Sequence, residues 1–575
     1  MKYKWHIKGQ DEIPRDLLHV AFGSEVVARL LLNRGINTTG KAKTYLEPKF
    51  YKESNPEEIP NLISAKERII QAIDKKEKIT IFGDYDVDGI TGTSCLLITL
   101  KKFTDNVDFY IPNRLTEGYG LNNEAVKEIA KNKTKLLITC DCGITNHCEI
   151  ETAKKLGMDV IVTDHHSLPE TLPDACAVLN PKLLPEDHKL HFLPGVGVAF
   201  KLAEALGALK EDLLDLVTLG MIADLAPLVQ ENRYLVQIGL PKLRATEKIG
   251  LRELLRVCGY NLYTETTTEH VGFGIAPRIN AIGRLSDAKL GVLLLTTNDI
   301  REAVHIANEL DLQNKERQKI CELTLLDAVS LVHEQVDFKK DRCIILAKEN
   351  WHHGILGIVA SRIVEKFGLP TILIGIDKEQ NIARGSGRSI ETLNIIEAVS
   401  SCSKHLERFG GHKAACGVSL KVEKIDEFLS NFKTTVNNLI TSDDLGLILH
   451  IDCPLSTSSL NLDLINKINR LAPFGLQNPM PLFESEEVEI AGIRNIGREK
   501  KHLKLMLKTA PQHRSSAALH IYEALIWNHD NNIQFNIGEK VKIAYTPKLN
   551  TYNGETFIQL EIKDYEKVET RILVS

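Results

Sequence analysis

The segment VIVTDHHSLPE, residues 160–170, runs from apolar residues straight into three polar ones. Val160 to Thr163 read as the end of a buried strand, since a short apolar run bounded by polar residues suits a strand covered on both faces. Asp164, His165 and His166 follow at once. An acid and two imidazoles beside an apolar strand are costly unless they are paired or bind something.

The pattern repeats upstream. KITIFGDYDVDG (78–89) is a β-rich run that breaks at Gly83 into an acidic loop, and TGTSCLLITLKKF (91–103) reads as a helix. NVDFYIPNR (106–114) is a second strand. LNNEAVKEIAKNK (121–133) is an amphipathic helix with Asn122 or Asn123 as its cap. TKLLITCDCGIT (134–145) is a third strand ending in an acid, HCEIETAKKLGM (147–158) a helix, and DVIVTDHH (159–166) the fourth strand. Strands alternating with helices predict a parallel sheet covered on both faces.

Further along, residues 297–335 keep helical periodicity without Gly or Pro, which predicts one long helix or two joined end to end. A second α/β pattern begins at Arg342 and runs to about Ile440. From about Leu447 the chain alternates apolar and polar residues in LILHIDCPL, EVEIAGIRNIG, HLKLMLKT, KVKIAYTPKLN and TFIQLEIKDYE. Short strands at this spacing suit a small barrel of the OB type. The expected organisation is an N-terminal segment (1–77), a parallel-sheet domain (78–296), a connecting helix (297–335), a smaller α/β domain (336–445) and a β-rich module (446–575).

Composition sets bounds on this picture. The 575 residues suit two to four domains, and 43% hydrophobic with 26% charged residues is ordinary for a globular chain. A net charge of −5 neither marks a global nucleic-acid binder nor excludes a local basic groove. The eleven cysteines form no paired C-x-x-C sets, and Cys140 and Cys142 read as small apolar residues at a strand end. No apolar leader and no run of about 18 apolar residues stands out. A cytoplasmic protein with reduced thiols and no membrane span is expected.

Asp84, Asp86 and Asp88 follow the first strand, Asp141 the third, and Asp164, His165 and His166 the fourth. In a parallel sheet these loops share the carboxyl edge, where ligands bind. Carboxylates converging there repel one another, and cations relieve the repulsion. An oxygen-rich set with one or two imidazoles suits Mn²⁺ or Mg²⁺, and so many ligands suit two ions, the arrangement that hydrolyses phosphoesters. Asp224 lies in the apolar stretch LVTLGMIADLAPL (216–228), where an unpaired charge is costly.

These motifs resemble the DHH phosphoesterase superfamily, and within it the bacterial exonucleases specific for single strands. GDYDVDGITG, TCDCGIT, VTDHH and GMIADLAPL match its four acidic motifs in order. IPNRLTEGYGL (111–121), LNPK (179–182), LPGVGVAFKL (193–202) and APRINAIGRL (276–285) match the segments around them. WHHGILGIVASR (351–362) and RFGGHKAACG (408–417) match a companion domain of the DHHA1 type, and LAPFGLQNPMPLF (471–483) with the β-rich tail matches an OB module. The resemblance spans about residues 20–565. It implies that Asp86 and Asp88 bind metal with Asp84 in reach, that Asp141 bridges two ions, and that His165 and Asp224 complete the second ion. His166 is expected to position the substrate phosphate or a ligand, and Asp164 to orient an imidazole.

The resemblance also implies single-stranded DNA as substrate, cut from the 5′ end to 5′-mononucleotides, in DNA repair and recombination. A helicase and a single-strand-binding protein are the expected partners, and a monomer suffices because one chain holds every motif. Arg278, Asn280 and Arg284, then Arg384, Ser386 and Arg388, then Gly410, Gly411 and His412, with His353, are candidate phosphate contacts. Arginines beside glycines and hydroxyls make forked donors and exposed amides available. Trp351 and Phe409 lie beside these clusters and are candidates for stacking on bases, although aromatics are more often core. The alternatives are an oligoribonuclease or cyclic-dinucleotide phosphodiesterase of the same superfamily, and a DNA-binding scaffold without catalysis. The intact acidic motifs argue against the scaffold.

Overall fold

The computed structural model describes residues 3–9, 11–114, 117–118, 120–260, 265–497, 501–509, 520–529, 535–552 and 554–568. Residues 115, 116 and 119 of the segment 111–121 therefore lie outside the described residues. The chain forms two compact units. One holds residues 43–318 and 472–479; the other holds residues 1–42, 319–471 and 480–575.

The first strand in the chain, β1 (Lys4–Ile7), belongs to the second unit. The first unit is built on β2 (Lys78–Gly83), β3 (Val107–Tyr110), β4 (Thr134–Cys140), β5 (Asp159–Thr163) and β6 (Ala177–Leu179). They form one sheet in the order β3-β2-β4-β5-β6, with every neighbouring pair parallel. Alternate residues bury against opposite layers. Ile79, Ile81, Leu136, Ile138 and Ile161 pack into one core with the helices Val87–Leu100 and Gly195–Ala205. Phe82, Leu137, Val160 and Val162 pack into the other, with Ala125, Val126 and Ile129 of the helix Asn123–Lys131. This two-sided burial is why the strands read as continuous apolar runs. Asn122 caps the latter helix by accepting from the Ala125 N–H at 2.8 Å.

The chain leaves β2 to one side for β3 and returns to its other side for β4. The carboxyl ends of β2 and β4 thus flank the topological switch point, where a crevice opens above the sheet.

The helix Ile300–Gln335 is a single element of 36 residues. Beyond it the second unit carries β7 (Ile344–Glu349), β8 (Thr371–Asp377), β9 (Ile382–Arg388), β10 (Arg408–His412) and β11 (Ala415–Lys421), ordered β10-β11-β9-β8-β7. Only β7 and β8 are parallel; the other pairs are antiparallel. β12 (Ile448–Ile451) pairs in parallel with β1, a long-range contact that short-range periodicity does not reveal.

The last module comprises β13 (Cys453–Pro454), β14 (Phe483–Glu484), β15 (Val488–Ile496), β16 (His502–Lys508), β17 (Ile521–Ile526), β18 (Lys540–Tyr552) and β19 (Glu555–Lys567). The pairings β18-β15-β16-β17-β19 return to β18, closing a five-stranded barrel of the OB type. Among the described residues, no helix is long and apolar enough to cross a membrane.

The first unit buries a complete ion-pair network. Lys201 is fully buried, with Nζ 2.9 Å from both Glu204 and Glu231, and Glu231 is itself fully buried. Removing Lys201 leaves Glu231 as an uncompensated charge in the core, a change that costs about 3–5 kcal/mol. Lys201→Met is expected to lower the midpoint of thermal unfolding, followed by circular dichroism, whereas Lys127→Ala, which removes an exposed pair with Glu124, leaves it in place.

Candidate metal centre

Backbone hydrogen bonds continue past the strand ends and set the acids side by side. The Asp84 N–H donates to Cys140 O at 3.1 Å, the Asp141 N–H to Thr163 O at 2.9 Å, and the Asp164 N–H to Leu179 O at 3.0 Å. The sheet register therefore places the residue after β2 beside the end of β4, and the residue after β4 beside the end of β5. Asp141 adopts a left-handed backbone, φ 64°, directly after β4. For a non-glycine residue such strain persists only where the surroundings enforce it, and it concentrates at functional sites. A Cβ on Gly195 would lie 2.6 Å from the Asp141 Cβ, and one on Gly89 2.5 Å from Asp84 O, so both acids need glycine beside them.

The helix after β2 starts at Val87 and not at Thr91. Asp86 is its N-cap, accepting from the Gly89 N–H at 3.1 Å, and Asp88 lies in its first turn. The capping role that a turn acid at Asp84 could have filled thus belongs to Asp86. The Asp88 carboxylate accepts the N–H groups of Gly195 and Val196, each at 2.7 Å, from the start of the next packed helix. Asp224 ends the helix Lys210–Ala223, just before Leu225 at φ 57°.

Among the described residues, three groups of side chains offer donor atoms within 4.8 Å of one another: Asp84, Asp86 and Asp141; Asp88, His165 and Asp224; and Asp141, His165 and His166. Asp141 belongs to two of them. His165 Nε2 lies 3.1 Å from Asp141 Oδ1 and 3.7 Å from Asp88 Oδ2. Asp164 has a different environment. Its Oδ1 accepts the N–H groups of His165 and His166 and meets His166 Nδ1 at 2.8 Å; its Oδ2 accepts the Ile144 N–H at 2.9 Å. Asn180, from the LNPK segment, donates to His166 O at 3.0 Å.

Electrostatics separates these acids. Burial, and then the charges of neighbouring aspartates, push Asp84, Asp88 and Asp141 well above the usual carboxylate range. Burial and the Asp86 charge push Asp224 up to about 7. Burial raises Asp164 too, but its hydrogen bond and charge pairing with His166 outweigh this and hold it low. Burial and the neighbouring His166 press His165 down to about 3, so its ring is neutral and able to coordinate. Among the described residues, the buried Oδ1 of Asp84 has no hydrogen-bond partner. An orphaned carboxylate oxygen on Asp84 among mutually repelling acids, with the neutral His165 ring beside Asp141 and Asp88, fits a divalent cation of the Mn²⁺ or Mg²⁺ kind.

Asp84, Asp86, Asp141, His165, His166 and Asp224, with Ala223, floor a cleft of about 320 Å³. Tyr85, Arg114, Asn280 and Arg284 complete its lining. Arg114 lies over the Tyr85 ring, 4.9 Å from its centroid. Neither residue stood out in the sequence, although Arg114 follows β3 at the same carboxyl edge, and that edge rule would have found it. A Cβ on Gly283 would lie 2.8 Å from Tyr85 O, so the helix Ala276–Leu285 packs directly on the first acidic loop and carries Asn280 and Arg284 to the cleft.

Arg278 does not join them. Its Nε and Nη2 lie 2.9 and 2.8 Å from Asp311 Oδ1, and Nη1 donates to Gly274 O at 2.7 Å. Helical phase is the reason: residues 280 and 284 share a face, whereas 278 and 280 are some 200° apart. Trp351 takes the core alternative. It is buried, and its Nε1–H donates to Asp327 at 2.8 Å, so it is a core residue.

In the second unit, β9 presents Arg384, Ser386 and Arg388 on one side. Cross-strand pairing aligns Ser386 with Gly417 and Gly410, and Arg388 with Ala415 and His412. Gly411, at φ 148°, needs its lack of a side chain, because a Cβ would lie 2.2 Å from Ala415 O. Arg388 Nη1 lies 3.2 Å from Ser386 Oγ, and a Cβ on Gly357 would approach Arg388 Nη2 to 2.7 Å. His353 starts the short helix His353–Ile355, and its ring stacks on His352 at 5.2 Å. Phe409 is exposed on β10.

Comparison with known proteins agrees with this architecture. Family models match in three places: the DHH family, N-terminal domain, at residues 78–221; the DHHA1 domain at 340–438; and the RecJ OB domain at 451–564. The chain is 39% identical over 571 residues to the single-stranded-DNA-specific exonuclease RecJ of Bacillus subtilis (strain 168), covering 98% of this chain and 71% of that one. The crystal structure of Thermus thermophilus RecJ in complex with Mn²⁺ superposes with a TM-score of 0.83 at 30% identity, covering 99% of this chain and 80% of that one. The Mg²⁺ complex from the same organism gives 0.78 at 27% identity, with 99% and 79% covered.

The cleft predicts a measurable response to metal. A cation that binds only the folded state stabilises it by about 2.7 kcal/mol at a hundredfold excess over its dissociation constant. Mn²⁺ added to chelator-treated protein is expected to raise the unfolding midpoint. Asp84→Asn is expected to raise the midpoint of the metal-free protein and to shrink the gain on adding Mn²⁺. Differential scanning fluorimetry with and without chelator checks both.

Proposed function

The chain belongs to the RecJ family of single-stranded-DNA-specific exonucleases, and from that premise we propose that it shortens single strands from the 5′ end, releasing 5′-mononucleotides. It is a metal-dependent hydrolase of single-stranded DNA that uses Mn²⁺ or Mg²⁺. The observation that carries the mechanism is Asp141, strained at the switch point and shared by two of the three donor clusters.

In this reading Asp84, Asp86 and Asp141 would hold one ion and Asp88, His165 and Asp224 the other, with Asp141 common to the two donor sets. Ions held there would supply the Lewis acidity that makes water nucleophilic near neutral pH and would counter the charge that builds on the phosphate. The chain's own residues do the rest. Two amides fix Asp88, so its carboxylate cannot swing away from His165. Asp164 orients His166 toward the cleft and is itself held by three backbone N–H groups. Arg114 and Arg284 provide cationic contacts for the terminal phosphate and Asn280 a neutral one. Arg384, Ser386, Arg388, Gly410, Gly411, His412 and His353 form a further phosphate-binding surface, and the β-rich barrel holds the strand. The functional modules are residues 78–296 for catalysis, 336–445 for substrate binding and 446–575 for strand binding, with 1–77 and the helical 297–335 as support.

Acting on single strands alone, the enzyme needs another protein to open a duplex. A helicase and a single-strand-binding protein in DNA repair and recombination fit that need. One chain holds every group of the centre, which supports a monomer, and a DNA substrate supports a cytoplasmic setting.

The test uses oligonucleotides labelled at the 5′ or the 3′ end, with purified protein and Mn²⁺. Mononucleotide release from the 5′ label at first sampling is expected. Release from the 3′ label first, or a preference for di- and trinucleotides of RNA, would sink the proposal. Asp141→Ala is expected to reduce cleavage to background, and Asp164→Asn to reduce it about 10–100-fold, the usual loss for a residue that orients a ligand.

A further inference from the structure

Phe273 is the most exposed large apolar side chain among the described residues, at 84%. It occupies the π-helical turn His270–Ile275, which runs directly into the helix Ala276–Leu285. The backbone around it is fixed. Val271, Gly274 and Ile275 are buried, a Cβ on Gly274 would lie 2.2 Å from the Tyr260 hydroxyl, and Thr268 Oγ1 donates to Phe474 O at 2.7 Å. An ordered turn therefore presents a bare aromatic ring to water. Folding gains nothing from such a display, and π-helical turns occur often at functional sites.

The direction of the ring is set by helical phase. The less buried positions that follow are Pro277, Arg278, Asn280 and Arg284; Arg278 turns aside to Asp311, and the others continue from Phe273 with the spacing 273, 277, 280, 284, which alternates four and three residues. That is one stripe along one side of the helix. Its far end, Asn280 and Arg284, lines the cleft with the acids. Its near end is Phe273, about 16 Å from Arg284 at 1.5 Å per residue. A single strand with its terminal phosphate at Arg284 and its chain along this stripe brings a later nucleotide over the ring.

We propose that Phe273 is a stacking platform for a nucleobase lying a few nucleotides inward from the strand end held in the cleft. The inference rests on the reading of the chain as a single-strand exonuclease. Stacking on a ring is tolerant of sequence, because every base has a π-face, and it suits an enzyme that passes along a strand. It also favours single strands, since a base stacked and paired in a duplex has no free face to offer.

The test compares wild type, Phe273→Ala and Phe273→Trp on a long single-stranded oligonucleotide and on a dinucleotide too short to reach the ring. Phe273→Ala is expected to lower kcat/KM on the long strand about tenfold, the loss expected of one base stack, mainly through KM. Its loss on the dinucleotide is expected to be several-fold smaller, and Phe273→Trp should recover the long strand. Equal losses on the two substrates, or no loss on the long one, overturn the proposal. A wild type inert on both substrates overturns the exonuclease reading instead, so the two failures are distinguishable.

Discussion

Three backbone hydrogen bonds, from the N–H groups of Asp84, Asp141 and Asp164 to the carbonyls of Cys140, Thr163 and Leu179, fix the geometry of the centre. Each extends a parallel ladder by one residue past its strand. Because neighbouring strands end level, the acid after each strand meets the end of the next. The apolar runs of β2, β4 and β5 thus act at a distance: burial on both faces sets the register, and the register sets the spacing of the carboxylates.

That spacing is unfavourable on its own. Burial and mutual repulsion push Asp84, Asp88, Asp141 and Asp224 upward, so without a cation the centre takes up protons. Part of the cost is offset within the chain. Asp88 takes two amide donors from the start of the helix Gly195–Ala205, and Asp86 takes one as a helix cap. Asp84 keeps a buried oxygen without a partner among the described residues. The remaining deficit of positive charge is what a divalent ion supplies, which couples folding of the site to metal binding.

The sequence made the acids legible because their signal is local: an apolar run of fixed length, then a polar residue. The same logic covers the Asn122 cap, a polar residue set before an amphipathic run, and the individual strands of the barrel, which alternate apolar and polar residues. It failed where phase or distance decides. Arg278 belongs to the same motif as Asn280 and Arg284, yet it points to Asp311, because composition ignores helical rotation. The pairing of β1 with β12 joins residues more than four hundred positions apart, and nothing in a four-residue strand announces its partner. Tyr85 and Arg114 escaped for a different reason. A ligand set for a cation reveals itself by its acids and imidazoles, and these two residues instead form the wall facing them.

The adjacent imidazoles illustrate how one backbone turn produces two distinct groups. Asp164 binds the N–H groups of both histidines with one oxygen, so the turn is rigid before any ligand arrives. The same oxygen engages His166 Nδ1, which raises that ring's affinity for a proton against the opposing effect of burial. His165 receives no such bond. It is more deeply buried, feels the neighbouring ring, and stays neutral with Nε2 beside Asp141 and Asp88. A neutral imidazole among carboxylates has a lone pair free to offer a cation, whereas the Nδ1 bond to Asp164 fixes the orientation of the His166 ring and raises its affinity for a proton. The difference arises from which ring Asp164 can reach, so the acid of the triplet gives two adjacent histidines different electrostatic character.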